Sequence, residues 1–316
     1  MEVLKKPFGI PSAALLLAAG LFSGCSSVKH AAVSQVADVL AEGGSSYASD
    51  DDPELVKQAT PFSLKLMEGM IEQSPRHEGL LRACSSGFTQ YAYAFVLQEA
   101  DELESRDFAA AEEMKTRAKK LFLRARGYGL RGLELAHPGF SSDLARDPKA
   151  TAAKAGRAEL PLLYWTAASW GGAISLGKDD PSLVAEIPQL ESLIDRALEL
   201  DEAWGGGVIH SFLITYEMSR QGIPGDAALR SRKHFDRAVE LSGGRLAGPY
   251  VNFAEAVCVE RRDAVQFEKL LQQALAIDPN LKPEHRLENL VMQRRARWLL
   301  AKKDDLFLTP GKPIAR

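Results

Sequence analysis

The chain has 316 residues, 46% of them hydrophobic and 26% charged, with 25 Gly and 16 Pro; this globular composition excludes a disordered, collagen-like or many-spanning membrane protein. Thirty-nine Lys and Arg against 42 Asp and Glu leave a net charge of −3, so no basic excess exists to neutralise a phosphate backbone and nucleic acid is not an expected partner. Three cysteines are too few for a disulfide scaffold, and none forms a CxxC pair or stands at metal-ligand spacing from a histidine, so neither a metal nor a cofactor is expected.

The chain opens on trafficking signals. Lys5 and Lys6 precede an apolar core from Ala13 to Leu21, too short to span a bilayer as a mature helix. It ends in Leu21-Phe22-Ser23-Gly24-Cys25, which resembles a bacterial lipobox; Phe22 departs from it by standing where Leu is preferred, three residues before the cysteine. Residues 1–24 are therefore read as a lipoprotein signal peptide and Cys25 as the lipidated residue, giving a periplasmic protein held to the envelope membrane by its lipid. Residues 25–46 follow as a tether and a short amphipathic helix, with Val33, Val36, Ala37 and Leu40 at helical spacing. Cys84 and Cys258 sit among apolar neighbours, either as one bridge or as two buried thiols.

Next comes Ser49-Asp50-Asp51-Asp52-Pro53, which lacks the alternating acidic pattern of an EF-hand loop. Asp52 is expected as an N-cap with Pro53 in the first helical position, and the same pair recurs as Asp147-Pro148 and Asp180-Pro181. Beyond Pro53 the apolar residues keep the 3.6-residue period: Phe62, Leu66, Met70 and Ile71 make one stripe, and Leu121, Ala125, Leu130 and Leu133 approximate another. No alternating run suits a sheet, so the fold class is all-α.

Similar words close several helices, among them Ala197-Leu198-Glu199-Leu200, Ala238-Val239-Glu240-Leu241 and Ala274-Leu275-Ala276-Ile277. Their alanines are 41 and 36 residues apart, close to the 34-residue tetratricopeptide (TPR) period. The best unit places Tyr250, Phe253, Ala254 and Val257 on a first helix and Phe267, Leu271, Ala274 and Pro279 on a second, matching the TPR pattern with one extra turn residue. About four cryptic TPR-like hairpins are expected, stacked as an α-solenoid. They would form a single domain over residues 47–309, with 310–316 as a tail.

The first helices of these hairpins are nearly free of charge. Leu160 to Gly177 has none, and Ala203 to Tyr216 has only His210. First helices line the concave face of TPR superhelices, so Tyr164, Trp165, Trp170, Trp204, His210, Glu217 and Tyr250 are candidates for an apolar, aromatic-edged ligand groove or pore; packed core is the alternative. His210 and Glu217, two turns apart, could face one cavity. No catalytic constellation emerges, and the protein is not expected to be an enzyme. Gly127-Tyr128-Gly129-Leu130-Arg131-Gly132 matches GxGxxG but lies within a helical stretch, and Trp204-Gly205-Gly206-Gly207 has no GxSxG companion. Arg294, Arg295 and Arg297 read as a solvated face or an ion-pair network.

Taken together, five stretches carry a family resemblance: residues 47–56, Ser86-Gly87-Phe88-Thr89-Gln90-Tyr91-Ala92, residues 162–168, Leu200-Asp201-Glu202-Ala203-Trp204-Gly205-Gly206-Gly207, and Arg294-Arg295-Ala296-Arg297-Trp298-Leu299-Leu300. The chain resembles, from about Val28 to Leu308, the TatT family of lipoproteins that serve as T-components of tripartite ATP-independent periplasmic (TRAP) transporters. That resemblance implies a TPR-like helical protein working beside the periplasmic solute-binding protein, with a small organic or apolar ligand, a membrane anchor and room for self-association. An envelope scaffold that binds other proteins through its TPR surface is the alternative; the uncharged first helices favour the transporter reading, because peptide-clamping grooves use Lys, Arg and Asn.

Overall fold

Aspartate-proline pairs start three of the helices. Asp52 accepts the amide hydrogens of Glu54 and Leu55 at 3.0 Å each, Asp147 that of Ala150 at 3.1 Å, and Asp180 those of Ser182 and Leu183. Each carboxylate satisfies donors that the first turn leaves open, while the following proline has no amide to satisfy. In this computed structural model, which describes residues 44–307, no strand occurs among the described residues. The elements are α1 (Gly44–Ala48), α2 (Pro53–Gln73), α3 (Glu78–Tyr91), a π segment (Ala92–Leu97) leading into α4 (Gln98–Glu104), α5 (Phe108–Ala136), α6 (Phe140–Arg146), α7 (Pro148–Ala152) and α8 (Leu160–Ser175). They continue as α9 (Pro181–Val184), α10 (Ile187–Leu200), α11 (Val208–Tyr216), α12 (Ala227–Ser242), α13 (Gly248–Phe253) with a second π segment (Ala254–Cys258), α14 (Ala264–Leu275), α15 (Arg286–Ala301) and α16 (Lys303–Leu306).

Packing is mostly between sequence neighbours: α2 on α3, α3 on α5, α5 on α8, α8 on α10, α11 on α12, α13 on α14 and α14 on α15. The contacts that skip one helix form an inner row, running from α3 to α8, α11, α13 and α15. Of these, α8 and α11 are the uncharged helices that the charge pattern singled out. The unit matched best to the repeat pattern is buried as expected, with Phe253, Ala254, Val257, Phe267, Leu271 and Ala274 all inside.

The GxGxxG run belongs to α5 and serves helix packing. A Cβ on Gly129 would collide with Thr166 Oγ1, and one on Gly132 would come within 2.7 Å of Leu162 Cδ2. Both glycines let α5 lie directly on α8, so the motif has a steric purpose and no phosphate to cradle.

At its far end the inner row returns to its beginning. On α15, Arg294 pairs with Glu102 at 2.6 Å and Glu99 at 3.5 Å, and the buried Arg295 bridges Asp101, at 2.8 Å, to Glu255 in the second π segment. The sulfur of Met292 lies 4.0 Å from both Tyr93 Oη and Gln98 Nε2. Arg286 donates to the carbonyl of Ser49 at 2.7 Å. The arginine run is thus an ion-pair network, and it closes the row of helices into a ring.

One sequence reading changes, and one open alternative closes. Phe62 is 74% and Leu66 42% exposed, whereas α2 buries Val56, Leu64, Met67 and Ile71. The helix carries two apolar stripes, and the one against α3 is rotated from the one the period suggested. Cys84 and Cys258 are separate buried thiols, and burial raises both pKa values to about 12. Cys25 and the amphipathic stretch at Val33, Val36, Ala37 and Leu40 lie outside the described residues. No helix of the described residues is long and apolar enough to cross a membrane.

Candidate functional site

The seven candidate groove residues fall into different environments. Tyr164, Trp165 and Trp204 form one cluster: Tyr164 is buried, its ring centroid 4.8 Å from Trp165 in an edge contact and 5.2 Å from Trp204. Trp204 reaches this position from the turn before α11, where Gly205, Gly206 and Gly207 have φ of 59°, 69° and 91°. Three consecutive left-handed residues are open only to glycine without strain. The Trp-Gly-Gly-Gly run therefore sets an indole against α8.

Trp170, one helix turn and more beyond Trp165, is engaged elsewhere. Its Nε1 donates to Glu186 at 2.9 Å, and Arg126 lies over its ring at 4.8 Å while itself pairing with Glu186. All its groups are satisfied by α5 and the start of α10, which makes it a structural residue. Tyr250 is half-buried and meets Phe235 edge-on at 5.6 Å.

His210 and Glu217 do not form a pair. His210 Nδ1 is 2.8 Å from His234 Nδ1, and its Nε2 is 3.2 Å from Glu202, which Arg237 also holds. His210 Nε2–H donates to the Glu202 carboxylate, so its Nδ1 accepts from His234 Nδ1–H, and burial lowers both pKa values, that of His234 to about 4. Glu217 is buried between Arg220, at 3.2 Å, and Arg230, at 2.5 Å. Arg220 in turn contacts Asp195 and Glu191. This buried ionic network ties the end of α11 to α10 and α12.

Two residues that the sequence did not single out complete the first cluster. Burial, with smaller contributions from the Glu288 carboxylate and Tyr93, raises the pKa of the Tyr164 phenol. Tyr93 lies on the first π segment, 39% exposed, yet its pKa is pushed up to about 12, chiefly by burial. Glu288 on α15 is exposed as well, yet burial alone raises its carboxyl to about 7. Its Oε1 stands 3.5 Å from where a Cβ on Gly248 would be. Elements contributed by α3's continuation, α8, α13 and α15 place these groups on the inner side of the ring.

Tyr93 had a signal: residues 83–98 are as free of charge as the stretches at 160–177 and 203–216. Glu288 had none, since it stands in an ordinary charged segment. Among the described residues no group of His, Cys, Asp or Glu could hold a metal ion.

The geometry can be set beside known proteins. A protein of Treponema pallidum (strain Nichols), described as "Uncharacterized protein", is 30% identical over 267 residues, covering 83% of this chain and 82% of its own length. The family described as "TRAP transporter T-component" matches residues 49–307. That span takes in the whole ring, from the N-cap of α2 to the end of α16, and the chain belongs to the TRAP transporter T-component family.

Proposed function

We propose that this T-component is lipid-anchored through Cys25, docks the periplasmic solute-binding protein of its transporter, and offers the released ligand an enclosed path through the helical ring. The observation that carries the reading is the inner face itself. It includes the uncharged helices α8 and α11 and is edged by Tyr164, Trp165 and Trp204. Aromatic walls with a few polar groups suit a small amphipathic solute. The exposed residues Leu55, Phe62 and Leu66 on α2 supply apolar surface of the kind a protein partner covers.

Calorimetric titration of the mature protein with the solute-binding protein tests the docking. Binding with a Kd below about 100 μM is expected for an interface of modest size. Its absence, with and without solute, favours the scaffold reading instead. Cys25→Ser is expected to release the protein from the membrane fraction, because the covalent lipid supplies the anchor; an unmodified Cys25 in mass spectra of the mature protein removes that assignment.

A further inference from the structure

The helices of the inner row run opposite to those packed outside them, so the turns between them fall on two edges of the ring. At one edge the inner helices end: the turn 105–107 after α4, the loop 217–226 after α11, the turn 259–263 before α14 and the end of α15 at Ala301. Contacts tie these turns together. Lys302 Nζ donates to Ser105 Oγ at 3.1 Å, Lys303 pairs with Glu268 of α14 at 2.5 Å, and Arg261 pairs with Asp226. The start of α2 joins them, where Lys57 pairs with Glu99 of α4 at 2.7 Å. Along this edge Leu55, Phe108, Ile223, Leu229 and Val265 are all exposed, Val265 at 81%. At the opposite edge, between α14 and α15, Leu281 is the one exposed large apolar residue among those described. Single exposed apolar residues are ordinary, but their concentration on one edge marks a surface that something covers.

We propose that this edge is the docking surface for a folded periplasmic protein, the solute-binding protein. This assignment rests on the docking proposed for the T-component and adds the face that it uses. The opposite edge is where the described chain begins: α1 packs on α15 and on the turn Pro283–His285 before it, and Arg286, the first residue of α15, holds the Ser49 carbonyl. A chain anchored through Cys25 enters on that side, which turns the apolar edge away from the membrane and towards soluble proteins. Charges on the apolar edge are of both signs and pair with one another, so it lacks the basic excess that holds a protein to anionic lipid. Its complement is an apolar, near-neutral face on the partner. Leu55 continues into Phe62 and Leu66, so the edge and the exposed stripe of α2 form one surface. A partner docked there covers one mouth of the ring, the position from which a released ligand enters it.

Phe108→Glu, Leu229→Glu and Val265→Glu test the edge, singly and together, with Leu281→Glu as the control on the other side. Each is made in the mature full-length protein and titrated calorimetrically with the solute-binding protein; side chains this exposed can be changed without unfolding the helices, which thermal melts verify. The triple variant is expected to bind at least about ten-fold more weakly than the parent, the single variants a few-fold more weakly, and Leu281→Glu within about two-fold of the parent. A triple variant that binds as the parent does, or an equal loss in Leu281→Glu, overturns the edge and leaves docking itself standing. In that event sedimentation of the parent and the triple variant, alone and with phosphatidylglycerol vesicles, shows whether a second copy or a lipid surface takes the edge instead. Absence of binding by the parent at about 100 μM overturns the docking and the edge together.

Discussion

Trp170 and Tyr164 lie on the same helix, α8, less than two turns apart, and both are buried. Around Trp170 every polar group is spent: the indole donates to Glu186, and Arg126 covers the ring and pairs with the same carboxylate. Around Tyr164 the phenol has no hydrogen bond among the described residues. Side chains of neighbouring helices fill the polar groups around Trp170, and the Tyr164 hydroxyl is left open. Burial alone therefore does not separate structural from functional aromatic residues here; satisfaction of the polar groups does.

Substitution on the two sides of α8 should sharpen this contrast. The largest effect is expected for Trp170→Ala, which removes a close-packed indole and leaves Arg126 and Glu186 without their third partner; a loss of about 3–5 kcal/mol in urea unfolding follows from the volume removed. A loss below about 1 kcal/mol, which is within the surface range, means that Trp170 is not packed as described. A smaller effect is expected from the histidine pair. The folded pKa values of His210 and His234 lie below the ordinary 6.5, that of His234 at about 4, so the unfolded chain binds more protons between those values. Stability present above pH 6.5 is lost as pH falls towards 4. Allowing for partial exposure, the contribution is about 1–2 kcal/mol, and thermal melts at pH 8 and pH 5 should show a shallower fall for His234→Asn than for the parent.

The inner side should give the smallest changes and, in one case, a gain. Tyr164→Phe removes no hydrogen bond within the protein, so its unfolding free energy is expected within about 0.5 kcal/mol of the parent. Glu288→Gln removes a surrounded charge, and melting at pH 8 should stay level or rise by up to about 3 °C. A marked fall in either melting temperature breaks the comparison, for it makes these groups part of the structural framework.

Much of this was legible in the residues. Asp52, Asp147 and Asp180 fixed helix starts because capping is local chemistry, decided within four residues. The all-α class followed from the apolar period, and two helices of the inner row, α8 and α11, from the absence of charge between Leu160 and Gly177 and around His210. The stripe at Phe62 and Leu66 misled because α2 has apolar residues on two faces, and only the position of α3 decides which is covered. His210 and Glu217 share a helix end but were drawn to different partners on α12, His234 and Arg230, which no spacing within α11 encodes.

By itself the sequence determined the helices, their order, the uncharged inner faces and the family, because capping, periodicity and composition act over a few residues. Tertiary structure alone decided that the row closes, through Arg294 and Arg295 reaching Glu102 and Asp101 across more than 190 positions of chain. A carboxylate's worth depends on what surrounds it in space, and those neighbours come from the far end of the fold.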